Sequence, residues 1–232
     1  MHKRARVHGA DSAPDIYNNE RLAKSYIYTL LPNATTYPNV FNVIDKRLHR
    51  QKRKLIGQSI SDRAMRLFEP TMVEQVDIFV SLLVDSCHRS KSESVNMTVL
   101  CKRLGVDLVG LLAFGFGLNT QTEETYRFLI RGLVAGNFKA NLYLQFPFLK
   151  KLQLDYLLTL LSRRQREQYY ALVDTMLSAR LKEDIHAKTD LVSFLAEGFD
   201  ADAIKERDKL VDILRWEGIF FFSAGEQSPL TG

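Results

Sequence analysis

The run Gly218–Ala224, "GIFFFSA", is apolar nearly all round a helical wheel. A helix without a polar face must be covered all round by other elements. The remainder of the chain therefore has to provide several packing partners, and their periodicity says of what kind. Pro229 forbids helix immediately beyond the run.

Helical spacing supplies those partners. Asp45 caps a helix through "KRLHRQKRKLIGQ", with Leu48, Leu55 and Ile56 as its apolar edge. Ser59 and Asp62 have capping-box spacing and open a short helix, Asp62–Phe68. Pro70 suits the first position of the next helix, Thr71–His88, striped by Met72, Val76, Phe79, Leu83 and Cys87. Met97–Phe114 repeats the pattern through Leu100, Leu104, Leu108 and Leu111, and "AFGFGLN" ends it. Further helices fit Thr122–Ala140, Ser162–Asp184 and Thr189–Glu197, and Asp200 or Asp202 caps a last one from near Ala203. Pro147 marks a connector, and Pro14, Pro32 and Pro38 leave room for one short helix, Asn18–Tyr28. No strand pair, heptad run or repeat emerges. The expectation is a mainly α unit over 1–232, with an irregular segment 1–44, a helical body 45–226 and a divergent tail 227–232.

Composition excludes several classes. At 46% hydrophobic and 25% charged the chain is not broadly disordered. A net charge of +5 permits an acidic partner without requiring one. Cys87 and Cys101 both fall in helical patterns and read as buried free thiols. No CxxC or HExxH occurs and the five histidines are scattered, so no protein-built metal site is expected. Neither a signal peptide nor a run of about 20 apolar residues is present, so the chain reads as soluble and cytoplasmic.

Three stretches carry chemistry. Lys46, Arg47, His49, Arg50, Lys52, Arg53 and Lys54 crowd one helix, and His49 and Arg53 share a face one turn apart. That pair suits two carboxylates or one polyanion; a solvated basic face and a nucleic-acid contact are the other readings. "SAGEQS", Ser223–Ser228, puts Gly225 inside an apolar helix, where it costs roughly 1 kcal/mol against alanine. It fits a pocket for a small molecule or, equally, a plain helix terminus. "ETYR", Glu124–Arg127, is an ordinary surface ion pair.

Taken in order, "FNVIDKRLHRQKRKLIGQSISDRAMRLFEP", "VDLVGLLAFGFGLN" and "LRWEGIFFFSAGE" resemble the cytochrome P-450 monooxygenases, in particular fungal members of secondary metabolism, over most of Phe41–Glu226. The resemblance implies a partial fold of that family, its B to I helix region, and haem as cofactor through a cysteine thiolate. It implies that His49 and Arg53 bind the haem propionates, as the family's C-helix pair does. It implies that Arg50 and Lys54 face an acidic NADPH–cytochrome P-450 reductase. The last helix is similar to the family's I helix, which crosses the haem: Ala224 and Gly225 match its small pair, and Glu226 fills a variable place. An apolar small-molecule substrate would meet Phe220, Phe221 and Ser223.

Departures from the pattern are equally specific. Gln227 stands where the family has an acid and Ser228 where it has threonine, so the oxygen-activation positions are degenerate. Glutamine cannot ionise, and Pro229 follows at once. Neither cysteine sits in the family's Phe-x-x-Gly-x-Arg-x-Cys loop, and "ETYR" only mimics its Glu-x-x-Arg helix. The expectations are that the axial cysteine is absent, that "QSPLTG" is unrelated sequence joined at Glu226, and that the chain alone is inactive. Such enzymes usually sit on the endoplasmic reticulum membrane, but no anchor is read here. A non-catalytic helical interaction module and, further off, a nucleic-acid-binding helix are the rivals.

Overall fold

Asp45 begins the first long helix as its spacing demands: its carboxylate accepts from the Leu48 N–H at 2.6 Å, and α1 runs Lys46–Ser59. The computed structural model describes residues 22–31, 35–89, 95–151, 163–184, 187–188, 190–198 and 207–226. Within them follow α2 (Asp62–Arg89), α3 (Met97–Phe114), α4 (Phe128–Gln145), the short α5 (Phe148–Lys151), α6 (Arg163–Arg180), α7 (Leu191–Gly198) and α8 (Arg207–Glu226). Ahead of α1 lies a 3-10 turn, Tyr26–Leu30, while residues 22–25 are not helical. The part of Asn18–Tyr28 that is described is thus not the expected α-helix. No strand occurs among the described residues, and their architecture is mainly α, as expected.

Helix α8 is the central element, packing against α3, α4, α6 and α7. Leu214, Glu217, Gly218 and Phe222 form its buried face, while Ile219, Phe220, Phe221 and Ser223 are half-buried. Burial is therefore deepest on one face rather than equal all round. The Phe114 ring at the end of α3 stacks on Phe222, centroids 5.6 Å apart. It also rests on Gly218, where an added Cβ would lie 2.2 Å from Phe114 Cζ. Gly218→Ala is accordingly expected to cost about 1–3 kcal/mol by overpacking. Chemical denaturation measures it, and a parent-like midpoint would show that Phe114 has room to move.

Several boundaries differ from the sequence expectation, each for a local reason. Helix α2 is continuous through Pro70 rather than broken into two. Proline removes one N–H bond and crowds the carbonyl four residues back, but that residue, Arg66, is exposed and its carbonyl can meet water. The hydroxyl that caps α2 belongs to Ser61, accepting from the Ala64 N–H at 3.3 Å, whereas Ser59 donates to the Ile56 carbonyl. The apolar stripe of α2 is not a core face: Met72 and Val76 are exposed, and Gln75 is buried instead. Gln75 goes inward because Gln121 Nε2 donates to both its side-chain oxygen and its carbonyl, at 3.1 and 3.3 Å.

Helix α3 matches its expected bounds, capped by Asn96 and ended by Gly115 at φ 57°. Its deepest face is Val106, Gly110, Ala113 and Phe114, with the leucine stripe half-buried beside it. Residues 122–127 are turn, not the start of α4, because Asp107 claims that backbone. Its carboxylate accepts from the Thr120 N–H and hydroxyl, both at 2.8 Å, and from the Gln121 N–H at 3.0 Å. Arg127 pairs with Glu124 at 3.1 Å and donates to the Thr120 and Gln121 carbonyls, so "ETYR" is a turn clasp. Cys87 is exposed and Cys101 half-buried; both are free, but Cys87 is not the buried thiol expected. The proposed start of the last helix near Ala203, with its Asp200 or Asp202 cap, lies outside the described residues. No described helix is long and apolar enough to cross a membrane.

Candidate functional site

Helix α1 divides its cations between two faces. Leu48, Lys52, Leu55, Ile56 and Ser59 follow the helical period, and four of these, Lys52 included, are buried. Lys52 is thus not part of a solvated basic face. Its ammonium meets Glu217 Oε1 of α8 at 2.7 Å, with the two side chains 7% and 1% exposed. The second oxygen, Oε2, accepts from the Val40 N–H at 3.1 Å. On the neighbouring face His49 is half-buried and Arg53 exposed, four residues apart as predicted. Arg50 and Lys54 are exposed.

A third cation joins His49 and Arg53 from outside the helix. Lys24 Nζ donates to the carbonyls of Val40 and Phe41 at 2.9 and 2.8 Å and lies 5.8 Å from the centre of the Tyr28 ring. Burial, then the Lys24 ammonium and the Arg53 guanidinium, hold the His49 imidazole below its ordinary 6.5. Lys24 is lowered likewise by burial and then Arg53, with Glu217 pulling the other way. Neither His49 nor Arg53 has an ion-pair partner among the described residues. Lys24 and Arg53 thus crowd the His49 imidazole and favour its neutral form, while Glu217, which acts on Lys24, is engaged by Lys52. Because the folded chain binds fewer protons at His49 than the unfolded chain, acidification through 6.5 costs stability. An anion seated among the three would reverse that sign.

The aromatic residues of α8 border the same segment. Phe220 stacks on Phe41, centroids 5.7 Å apart, and meets Phe221 edge-on at 5.6 Å. The Ser223 hydroxyl donates to the Ile219 carbonyl at 3.0 Å, and the Ser223 carbonyl accepts from Asn137 of α4 at 3.2 Å. Ser223 is therefore engaged within the fold rather than presenting a free donor. Ala224 and Gly225 fall in the last turn of α8, while Gln227 and Ser228 lie outside the described residues.

This arrangement suits an anionic group. No described thiol accompanies it: Cys101 sits in the first turns of α3, thirteen residues from Phe114, or about 20 Å of helix away from the Gly218 contact. Cys87 is exposed near the far end of α2. Among the described residues there is no cluster of His, Cys, Asp and Glu that would hold a metal ion by itself. Lys24 and Glu217 were not singled out in the sequence, and Lys52 was named only as one of the basic run. The available signal was a lysine on the apolar edge of α1 and an acid at the start of the apolar run of α8, two residues that can be buried only together.

The helical body thus brings Lys24, His49 and Arg53 together near an aromatic helix face. Known proteins are similar to this chain over much of its length. A cytochrome P-450 monooxygenase of Gibberella zeae is 24% identical over 192 residues, 82% of this chain and 44% of that protein. One of Penicillium oxalicum is 27% identical over 190 residues, 80% of this chain and 37% of that protein. An averantin hydroxylase of Dothistroma septosporum is 29% identical over 97 residues, covering 41% and 18%. No family model matches the chain. The chain is thus similar to cytochrome P-450 monooxygenases over most of its length, and it spans less than half the length of the curated relatives it matches.

Proposed function

We propose that the chain serves haem-dependent monooxygenation of an apolar small molecule, an intermediate of fungal secondary metabolism, with Lys24, His49 and Arg53 holding the two haem propionates. The observation that carries this is Lys24 and Arg53 gathered about His49, with no ion-pair partner for His49 or Arg53 among the described residues. Haem, when bound through a thiolate, supplies dioxygen activation and transfer of one oxygen atom to a substrate. The chain's own part is to bind and orient. The Arg53 fork would hold one carboxylate, His49 would donate from its ring, and Lys24 would add a compact charge. Phe220 and Phe221 would give the substrate side an apolar wall, and Ala224 and Gly225 would belong to the cofactor side. Exposed Arg50 and Lys54 provide the positive face for an acidic reductase that carries electrons from NADPH.

Of the degenerate pair, Ser228 keeps a hydroxyl that can hold a proton and Gln227 does not ionise. No described thiol reaches the cations, so the chain is proposed not to turn over by itself. A nucleic-acid role for α1 is weaker than its composition suggests, because Lys52 points inward to Glu217.

Titration with iron protoporphyrin and with its dimethyl ester tests the reading. The diacid is expected to bind at least tenfold more tightly than the ester, since charge-assisted bonds contribute about 1.5–3 kcal/mol each. His49→Ala with Arg53→Ala should erase most of that difference while leaving the ester unaffected. Equal affinity for acid and ester would overturn it.

A further inference from the structure

We propose that Glu217 is the positioning residue of the cation cluster, its two carboxylate oxygens holding Lys24 and the His49–Arg53 face of α1 in one fixed relation. The proposal rests on the haem reading only for the name of the anion received there.

The geometry is a bracket with two arms. Oε1 takes the Lys52 ammonium at 2.7 Å, and Lys52 lies three residues after His49 and one before Arg53 on the same helix. Oε2 takes the Val40 N–H at 3.1 Å, and the Val40 carbonyl receives Lys24 at 2.9 Å. Residue Val40 thus faces an anion with its N–H and a cation with its carbonyl. Lys24 pays for its partial burial with two carbonyl bonds, both on the segment that Glu217 tethers. Without the tether, repulsion from Arg53 favours an outward swing of Lys24 into water. Asn39 supplies a weaker brace, accepting from the Phe41 and Asn42 N–H groups at 3.1 and 3.0 Å, and Phe41 stacks on Phe220. Those contacts hold the turn, but among the described residues it is Glu217 that ties it to α1 through a charge.

Removing a carboxylate simply as a charge would lower the His49 pKa further. Removing it as a tether releases Lys24 and raises that pKa. A double-mutant cycle separates the two effects. The imidazole titration of His49, assigned with His49→Gln and followed by NMR, is read in the parent, in Lys24→Met, in Lys52→Met/Glu217→Leu, and in all three changes together. Replacing the buried pair by apolar side chains leaves no stranded charge. Lys24→Met is expected to shift His49 upward in the parent and to leave it unmoved once the bracket is gone. An equal upward shift in both backgrounds overturns the proposal, as does no shift in either. Should the pair variant not fold, Lys52→Met/Glu217→Met, which also removes both oxygens and strands no charge, gives the same comparison. Haem takes no part in this measurement, so the haem reading stands or falls separately, on the ester comparison.

Discussion

Lys52→Ala is expected to lose about 3–5 kcal/mol of folding stability, which for a chain of this size lowers the melting midpoint by roughly 6–20 °C. The loss comes from what remains rather than from what is taken away. Glu217 is fully buried, and with Lys52 gone its carboxylate keeps only the Val40 N–H. A buried ion with one weak donor is far from repaid for leaving water. The contrasting variant, Lys52→Met/Glu217→Leu, removes both charges and fills the space with apolar atoms. It should melt within about 2 kcal/mol of the parent, and a gain in stability agrees with the same physics. Urea unfolding of the three proteins at one pH, with equal slopes, makes the comparison. A Lys52→Ala protein within 1 kcal/mol of the parent would mean that water reaches Glu217.

The same pair marks the line between what was legible in the sequence and what was not. Helices announced themselves wherever a cap and an apolar period coincided. Asp45 opened α1, Asn96 and Gly115 bounded α3, and the apolar run before Ala224 gave α8 its central place. These are local signals, carried by residues within one or two turns of each other. Lys52 and Glu217 are 165 residues apart, and Lys24 is anchored on Val40 and Phe41, sixteen and seventeen residues along the chain. In a linear reading Lys52 is one of seven basic-run residues and Glu217 one acid beside a tryptophan. Only packing shows that one lysine leaves the run for the core while His49 and Arg53 stay at the edge. The misread ends have a similar cause. Asp107 captures the backbone of Thr120 and Gln121 across thirteen residues, and this long-range demand overrides the helical propensity of 122–127. Pro70 misled in the opposite direction, since the helix could continue at the cost of one exposed hydrogen bond.

A second buried charge centre, between α6 and α7, is expected to be as costly to break. Arg180 and Asp190 are 1% and 2% exposed and pair through Nε and Oδ2. The guanidinium also donates from Nη1 to the Asp184 carbonyl at 3.0 Å and from Nη2 to the Ser193 hydroxyl at 2.6 Å. Asp190 in turn caps α7 through the Ser193 N–H at 2.9 Å. One planar fork therefore closes the loop between the helices by reaching three acceptors in different directions. Arg180→Ala strands the Asp190 carboxylate and is expected to cost about 3–5 kcal/mol. Arg180→Lys should recover less than half of that, because a single ammonium cannot satisfy the three positions together. Helix α7 packs on α1, so the damage reaches the helix that carries His49 and Arg53. In Arg180→Ala the affinity advantage of haem over its dimethyl ester should shrink in any fraction that remains folded. If lysine restores the parent's unfolding midpoint, the fork's directionality is not what holds the junction, and charge alone would account for it.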